Sequence, residues 1–117
     1  MRTIFVANHK PPVELKDVII PENIFLWGQI PKEGVIKHLE PLTAELEKIY
    51  EETNEEINLV IAGEPRTTCF LVKRFENKEN ITCCTTFSIR KSVDETMPDG
   101  TTKKTAIFEF AGLVPFV

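Results

Sequence analysis

What this chain has little of narrows it first. It holds three cysteines, Cys69, Cys83 and Cys84, and no Cys-x-x-Cys spacing. Cys83 and Cys84 are adjacent, and on a strand they point to opposite faces. An odd count without paired spacing excludes a disulfide framework and any recognisable zinc site. It implies reduced thiols and a cytosolic, cytoplasmic protein. The two histidines, His9 and His38, lie far apart in sequence and add no metal-ligand pattern. No apolar run is long enough to span a bilayer, and the N-terminus lacks a signal-peptide core. Positive charge is not in surplus: 14 Lys and Arg stand against 18 Asp and Glu, a net charge of -4. The whole molecule therefore has no attraction for duplex nucleic acid or an anionic membrane, and an anionic ligand needs a local basic pocket.

What is present is ordinary globular composition, with 42% hydrophobic and 27% charged residues. A length of 117 residues suits one domain, 1–117, able to bury a core without cross-links. There is no internal repeat, low-complexity tract or linker.

The chain is organised around residues 58–68. Leu59, Val60, Ile61 and Ala62 form a short apolar run that suits a strand buried on both faces. Gly63 then allows a tight turn and close approach of another backbone. Pro65 is preferred at a first helical position, and Cys69, Phe70, Leu71, Val72 and Phe75 continue at helical spacing. A strand, glycine turn and helix start point N–H groups at the carboxyl edge of a sheet, where anionic ligands bind. Arg66, Thr67 and Thr68 add a cation and two hydroxyls. The plainer alternative is that Gly63 only turns the chain and Arg66 is solvated.

Around this centre the order is α/β. Residues 3–7 predict a first strand, ending in Asn8-His9-Lys10-Pro11-Pro12, where the prolines favour an extended loop. His9 is the imidazole at a strand's carboxyl end, with an exposed loop histidine as the alternative. Residues 13–20 read as a short helix or a half-buried connection, and residues 24–27 as a second strand. Trp27 is expected in the core or a dimer contact. Val35, Leu39, Leu42, Leu46 and Ile49 mark one face of a helix that Pro41 kinks or splits, with His38 solvated. The central strand and its helix, residues 65–76, follow. Two β-rich runs flank the Pro98-Asp99-Gly100 turn and predict a hairpin, and residues 113–117 a short closing strand. Alternating β and α elements imply a mainly parallel sheet flanked by helices, with an antiparallel C-terminal hairpin.

Asn8-His9 ends the first strand, Trp27 precedes Ile30-Pro31, and Gly63 ends the middle strand; Thr85-Thr86, Arg90, Val93-Asp94-Glu95, Pro98-Asp99-Gly100, Lys103-Lys104 and Ile107-Phe108 close the chain. Together these motifs resemble the small stand-alone CRISPR-associated proteins of the Csx group found beside type III systems. The hairpin is the most specific part. The resemblance implies a Rossmann-like domain and a homodimer. It implies a cyclic tetra-adenylate ligand lying across the two-fold axis. It also implies ring-nuclease chemistry without metal or other cofactor: a ribose 2′-hydroxyl attacks its own phosphodiester and leaves a 2′,3′-cyclic phosphate. A non-cleaving protein that sequesters the ring is the alternative. The chain departs from the pattern in its short connection through Pro11-Pro12, which implies a reduced first helix, and in Glu109.

Such chemistry needs in-line positioning and cations or N–H groups on the phosphoryl oxygens. His9 and Arg66 are the expected catalytic residues, His9 because an imidazole titrates near neutral pH. Asn8, Lys10, Gly63, Glu64, Thr67, Thr68, Thr86, Arg90 and Lys91 are the expected ligand-binding residues. Strand charges such as Arg90 and Lys91 also serve simply to protect an edge. A catalytic Cys69 is a weaker alternative, since its apolar neighbours predict burial.

Overall fold

The computed structural model describes residues 1–116. Its elements are β1 (Arg2–Val6), β2 (Val18–Ile19), a 3-10 helix (Glu22–Gly28), α1 (Val35–His38), α2 (Glu40–Glu52), β3 (Ile57–Ile61), α3 (Pro65–Phe75), β4 (Ile81–Thr96) and β5 (Thr102–Pro115). The five strands form one sheet in the order β2-β1-β3-β4-β5. β1, β2, β3 and the start of β4 are parallel, and β5 is antiparallel to β4. The mixed α/β sheet and the hairpin are as the sequence predicts.

Strand alternation decides which side chains meet the helices. Ile4 and Val6 of β1, Ile57, Leu59 and Ile61 of β3, and Ile81 and Cys83 of β4 pack with Leu42 and Leu46 of α2 and Leu71 and Phe75 of α3. The other face buries Phe5, Ala7, Val60 and Cys84 against Leu15, Ala62 and Leu113, with no helix residue among them. Cys83 and Cys84 therefore do divide between the faces. Helices cover one face; the connection from β1 to β2, residues 7–17, contributes Leu15 to the other. That connection holds no helix, in keeping with Pro11-Pro12.

Three expectations need correction. Residues 24–27 are not a strand but part of the 3-10 helix, and the second strand is Val18–Ile19. The cause is tertiary. The Glu45 carboxylate on α2 accepts the backbone N–H groups of Glu22 (2.7 Å) and Asn23 (2.9 Å), satisfying the free donors of the turn. Ile24 and Trp27, three residues apart, then point together into the core. His38 is not solvated: its Nε2 donates to the Leu26 carbonyl at 2.8 Å, holding α1 to the 3-10 helix. Cys69 is exposed, because Thr67, Leu71 and Phe75 form the buried face of α3 and leave it outside. The helix break near Pro41 is as expected: α1 ends at His38, and Pro41 lies in the first turn of α2. The closing strand is continuous with β5 through Pro115, and Val117 lies outside the described residues.

The hairpin makes the molecule long. Its dimensions are 59 × 35 × 25 Å, with a radius of gyration of 17.5 Å. A compact domain of this length has about 13–14 Å. No helix among the described residues is long and apolar enough to cross a membrane.

Candidate functional site

The chain leaves β1 for β2 on one side and later enters β3 on the other, so the crossover direction changes between β1 and β3. In open parallel sheets this is where ligands bind, beyond the carboxyl ends of the strands. The loops after Val6 and Ile61 stand side by side there, joined by the Ala62 N–H donating to the Val6 carbonyl at 3.0 Å. The cleft between them is filled. Trp27 is 2% exposed and donates its indole Nε1–H to the Ala62 carbonyl at 2.9 Å. Gly63 is what admits that ring, since a Cβ at this position would lie 2.5 Å from Trp27 Nε1. The glycine thus serves a side chain's close approach, not only a turn. Gly28, next along, sits against the Asn8 side chain.

On one side of Trp27 lies a cavity of about 360 Å³ lined by Asn8, His9 and Lys10 together with Ile20, Phe25 and Gly28. The His9 ring stands edge-on to Phe5, centroids 5.5 Å apart. Its Nδ1 lies 3.1 Å from the Lys10 carbonyl, which can only accept, so Nδ1 carries the hydrogen. Nε2 is left as the nitrogen available for proton transfer. Phe25 and Ile20 are 66% and 51% exposed, which gives this cavity an apolar wall beside a basic one.

On the other side α3 begins. Glu64 is its N-cap, accepting the Arg66 N–H at 2.7 Å. The Thr67 hydroxyl donates to the Glu64 carbonyl at 3.0 Å and is fully buried. The Arg66 guanidinium forks onto the Glu64 carboxylate, and also donates to the carbonyls of Lys32 (2.8 Å) and Pro31 (3.0 Å). Arg66 therefore clamps the Pro31-Lys32 turn to the start of α3. The same contact holds the Glu64 carboxyl below the usual carboxylate range. A carboxylate already occupies this helix N-terminus, so the anion cradle expected of the Gly63-Glu64-Pro65 turn is satisfied from within the chain.

Beyond it, Gly63, Thr68, Cys69, Lys73 and Phe116 line a groove of about 510 Å³ along α3. The Thr68 hydroxyl oxygen is buried with no hydrogen-bond partner among the described residues. Thr86 is half-buried where β4 passes the edge of the body. Arg90 and Lys91 lie further out on the hairpin, about 13–17 Å along the strand from Thr86. They point to opposite faces, and Lys91 Nζ is 2.8 Å from Glu109.

The expected single basic pocket is thus three groups on one edge. Asn8, His9 and Lys10 come together; Glu64, Arg66 and Thr67 form a self-contained cap; Thr86, Arg90 and Lys91 belong to the hairpin. Sequence reasoning does not place Phe25, Gly28 or Phe116 at the site. Phe25 sits inside an apolar run that suggests a strand, and the apolar C-terminal segment marks Phe116 only as part of an uncovered, dimer-forming surface. Burial pushes the Cys83 and Cys84 thiols up to about 11, so neither is a nucleophile at neutral pH. Among the described residues no three His, Cys, Asp or Glu side chains are grouped to hold a metal ion.

The sequence pattern of the Uncharacterized protein MJ1673 family matches residues 2–114. No curated protein and no solved structure matches the chain.

Proposed function

We propose that this chain, which belongs to the MJ1673 family, is a ring nuclease that binds and cleaves cyclic tetra-adenylate, ending a type III CRISPR signal in the cytoplasm. The observation that carries the reading is the carboxyl edge itself. The loop bearing Asn8, His9 and Lys10 and the loop bearing Gly63, Glu64 and Arg66 leave adjacent parallel strands at a crossover switch. The finer fold reading is Rossmann-like, with the first crossover helix replaced by residues 7–17. Two copies around a ring of four nucleotides would match the ring's symmetry.

In the proposed reaction His9 Nε2 accepts the proton of a ribose 2′-hydroxyl. The oxygen attacks the adjacent phosphorus, the 5′-oxygen leaves and takes up a proton, and a 2′,3′-cyclic phosphate remains. Lys10 supplies positive charge beside the phosphate, and the Asn8 amide can hold a ribose or phosphate oxygen. The cation and the dipole of α3 are largely committed to Glu64, so Arg66 acts mainly by fixing the Pro31-Lys32 turn. Its one Nη1 hydrogen without an acceptor among the described residues remains to face the ligand.

The self-capped α3 favours one second reading, a protein that sequesters the ring without cutting it, because it supplies less charge to a transition state. The test is incubation of cyclic tetra-adenylate with excess protein, following both binding and products. Cleavage is expected. His9→Ala should lower the single-turnover rate by roughly a hundredfold, the low end for a general acid or base. Arg66→Ala should weaken binding about tenfold, the scale of one charge-assisted hydrogen bond. Tight binding with intact ligand after many hours would leave only sequestration, and absence of binding would overturn both readings.

A further inference from the structure

The β4–β5 hairpin leaves the body at a bulge between Thr86 and Ser88. From there residues 87–96 of β4 and 102–109 of β5 are all exposed. A two-stranded ribbon with no third layer is only marginally stable in water. This ribbon nonetheless carries large apolar side chains. Ile89 and Val93 share a face with Ile107, as the pairs Ile89–Glu109, Lys91–Ile107 and Val93–Thr105 show. With Phe87 in the bulge, these four residues are 42–50% exposed.

The charges on that face are Lys91, Glu95, Lys103 and Glu109, two of each sign. An apolar face with balanced charge has no net field to draw nucleic acid or an acidic partner. It does complement a copy of itself or a mixed surface of its own chain, as a two-fold interface requires. Direction and length agree. β4 runs parallel to β1 and β3 and continues past their carboxyl ends. Its ten exposed residues extend about 33 Å, against shorter molecular dimensions of 35 and 25 Å. The ribbon is long enough to cross the 25 Å dimension of a neighbouring body. One ribbon face offers about ten residues, a third to a half of the roughly 20–30 per side of a stable interface. Reciprocal exchange doubles this, because each copy gives its own ribbon face and also receives its partner's. Exposed Ile20, Phe25 and Phe116 at or near the carboxyl edge are apolar counterparts.

We propose that the hairpin is an exchanged arm: two copies of this chain pair about a two-fold axis, each laying its Ile89, Val93 and Ile107 face over the partner's carboxyl edge. The inference deepens the two-copy part of the proposed function and is independent of the nucleotide chemistry. It brings Lys91, remote from its own chain's loops, to the edge of the partner.

Sedimentation without nucleotide tests it on the full chain, the Ile89→Lys/Ile107→Lys variant, and a variant whose residues 89–109 are replaced by an Asn-Gly turn. The full chain is expected to be a dimer at about 10 μM, and both variants monomers, a shift of at least a hundredfold in dissociation constant. Fluorescence of Trp27, the sole tryptophan and buried in the body, reports that the variants remain folded. A monomeric full chain overturns the inference together with the two-copy assembly. A dimer that persists with unchanged affinity in the shortened variant overturns the arm but leaves the two-copy reading standing. Cyclic tetra-adenylate binding, measured separately on each protein, judges the ligand reading on its own.

Discussion

β4 is two structures in one strand. Its first four residues, Ile81 to Cys84, lie beside β3 and bury Ile81, Cys83 and Cys84. Its last ten pair only with β5 and bury nothing. Pairing with β5 runs along both parts and is interrupted only at the bulge between Thr86 and Ser88, so the presence of a ladder is not what separates them. The body half has helices on one face and a loop connection on the other; the arm half has neither. Backbone pairing persists where the register is set, but stability comes from removing apolar area from water.

That contrast can be broken by substitution. Trp27→Ala removes the largest buried side chain and its bond to Ala62, and should cost about 3–5 kcal/mol in urea unfolding. Such a loss is a large share of a total of about 5–15 kcal/mol. Phe108→Ala, at 69% exposure on the arm, should shift stability by less than about 0.5 kcal/mol at protein concentrations too low for pairing. Equal effects would mean that the arm is part of the body's cooperative unit.

A methyl group tests the same body more gently. Gly63→Ala forces a Cβ against the Trp27 ring and should cost about 1–3 kcal/mol, with a red shift in Trp27 emission as the ring moves. Glu45→Ala strips the 3-10 helix of its distant cap and should cost about 1 kcal/mol, measured by thermal melting. A neutral result would mean that packing of Ile24 and Trp27 alone fixes that helix.

The smallest effect expected is a pH effect at the edge of the body. Hydrogen bonds from the Arg66 side chain and backbone lower the Glu64 pKa in the folded chain. A depressed carboxyl contributes stability above its unfolded pKa and loses it as pH falls through the folded value. The contribution is therefore complete above about pH 5 and fades below about pH 4.5. Glu64→Gln should flatten the melting temperature over that acid range, while Phe108→Ala leaves the slope unchanged. An unaltered slope in Glu64→Gln would show that other carboxylates govern acid sensitivity.

Local pattern was enough for several elements. The apolar run at residues 59–62 overlaps β3 (Ile57–Ile61), Pro65 opens α3, Pro41 marks the α1–α2 break and Pro98-Asp99-Gly100 turns the hairpin. Each rests on neighbours in sequence: period, proline geometry, turn chemistry. The 3-10 helix did not announce itself, because Ile24, Phe25, Leu26 and Trp27 are as suitable for a strand and the deciding group, Glu45, lies 22 and 23 residues away. The candidate site was half legible for the same reason. Strand ends predicted that the loops of His9 and Arg66 would be neighbours, and the pairing of β1 with β3 makes them so. Trp27 between those loops, and the attachment of Arg66 to Glu64, Lys32 and Pro31, come from contacts across the fold.

The sequence by itself determined the α/β class, the parallel centre and the hairpin, because side-chain period, proline and turn chemistry act within a few residues. Only the tertiary structure decided that all helices share one face, that Trp27 closes the switch point through Gly63, and that the last ten residues of β4 leave the body. Those outcomes depend on which surfaces are brought together, and burial is a property of pairs of surfaces that no single stretch of chain contains.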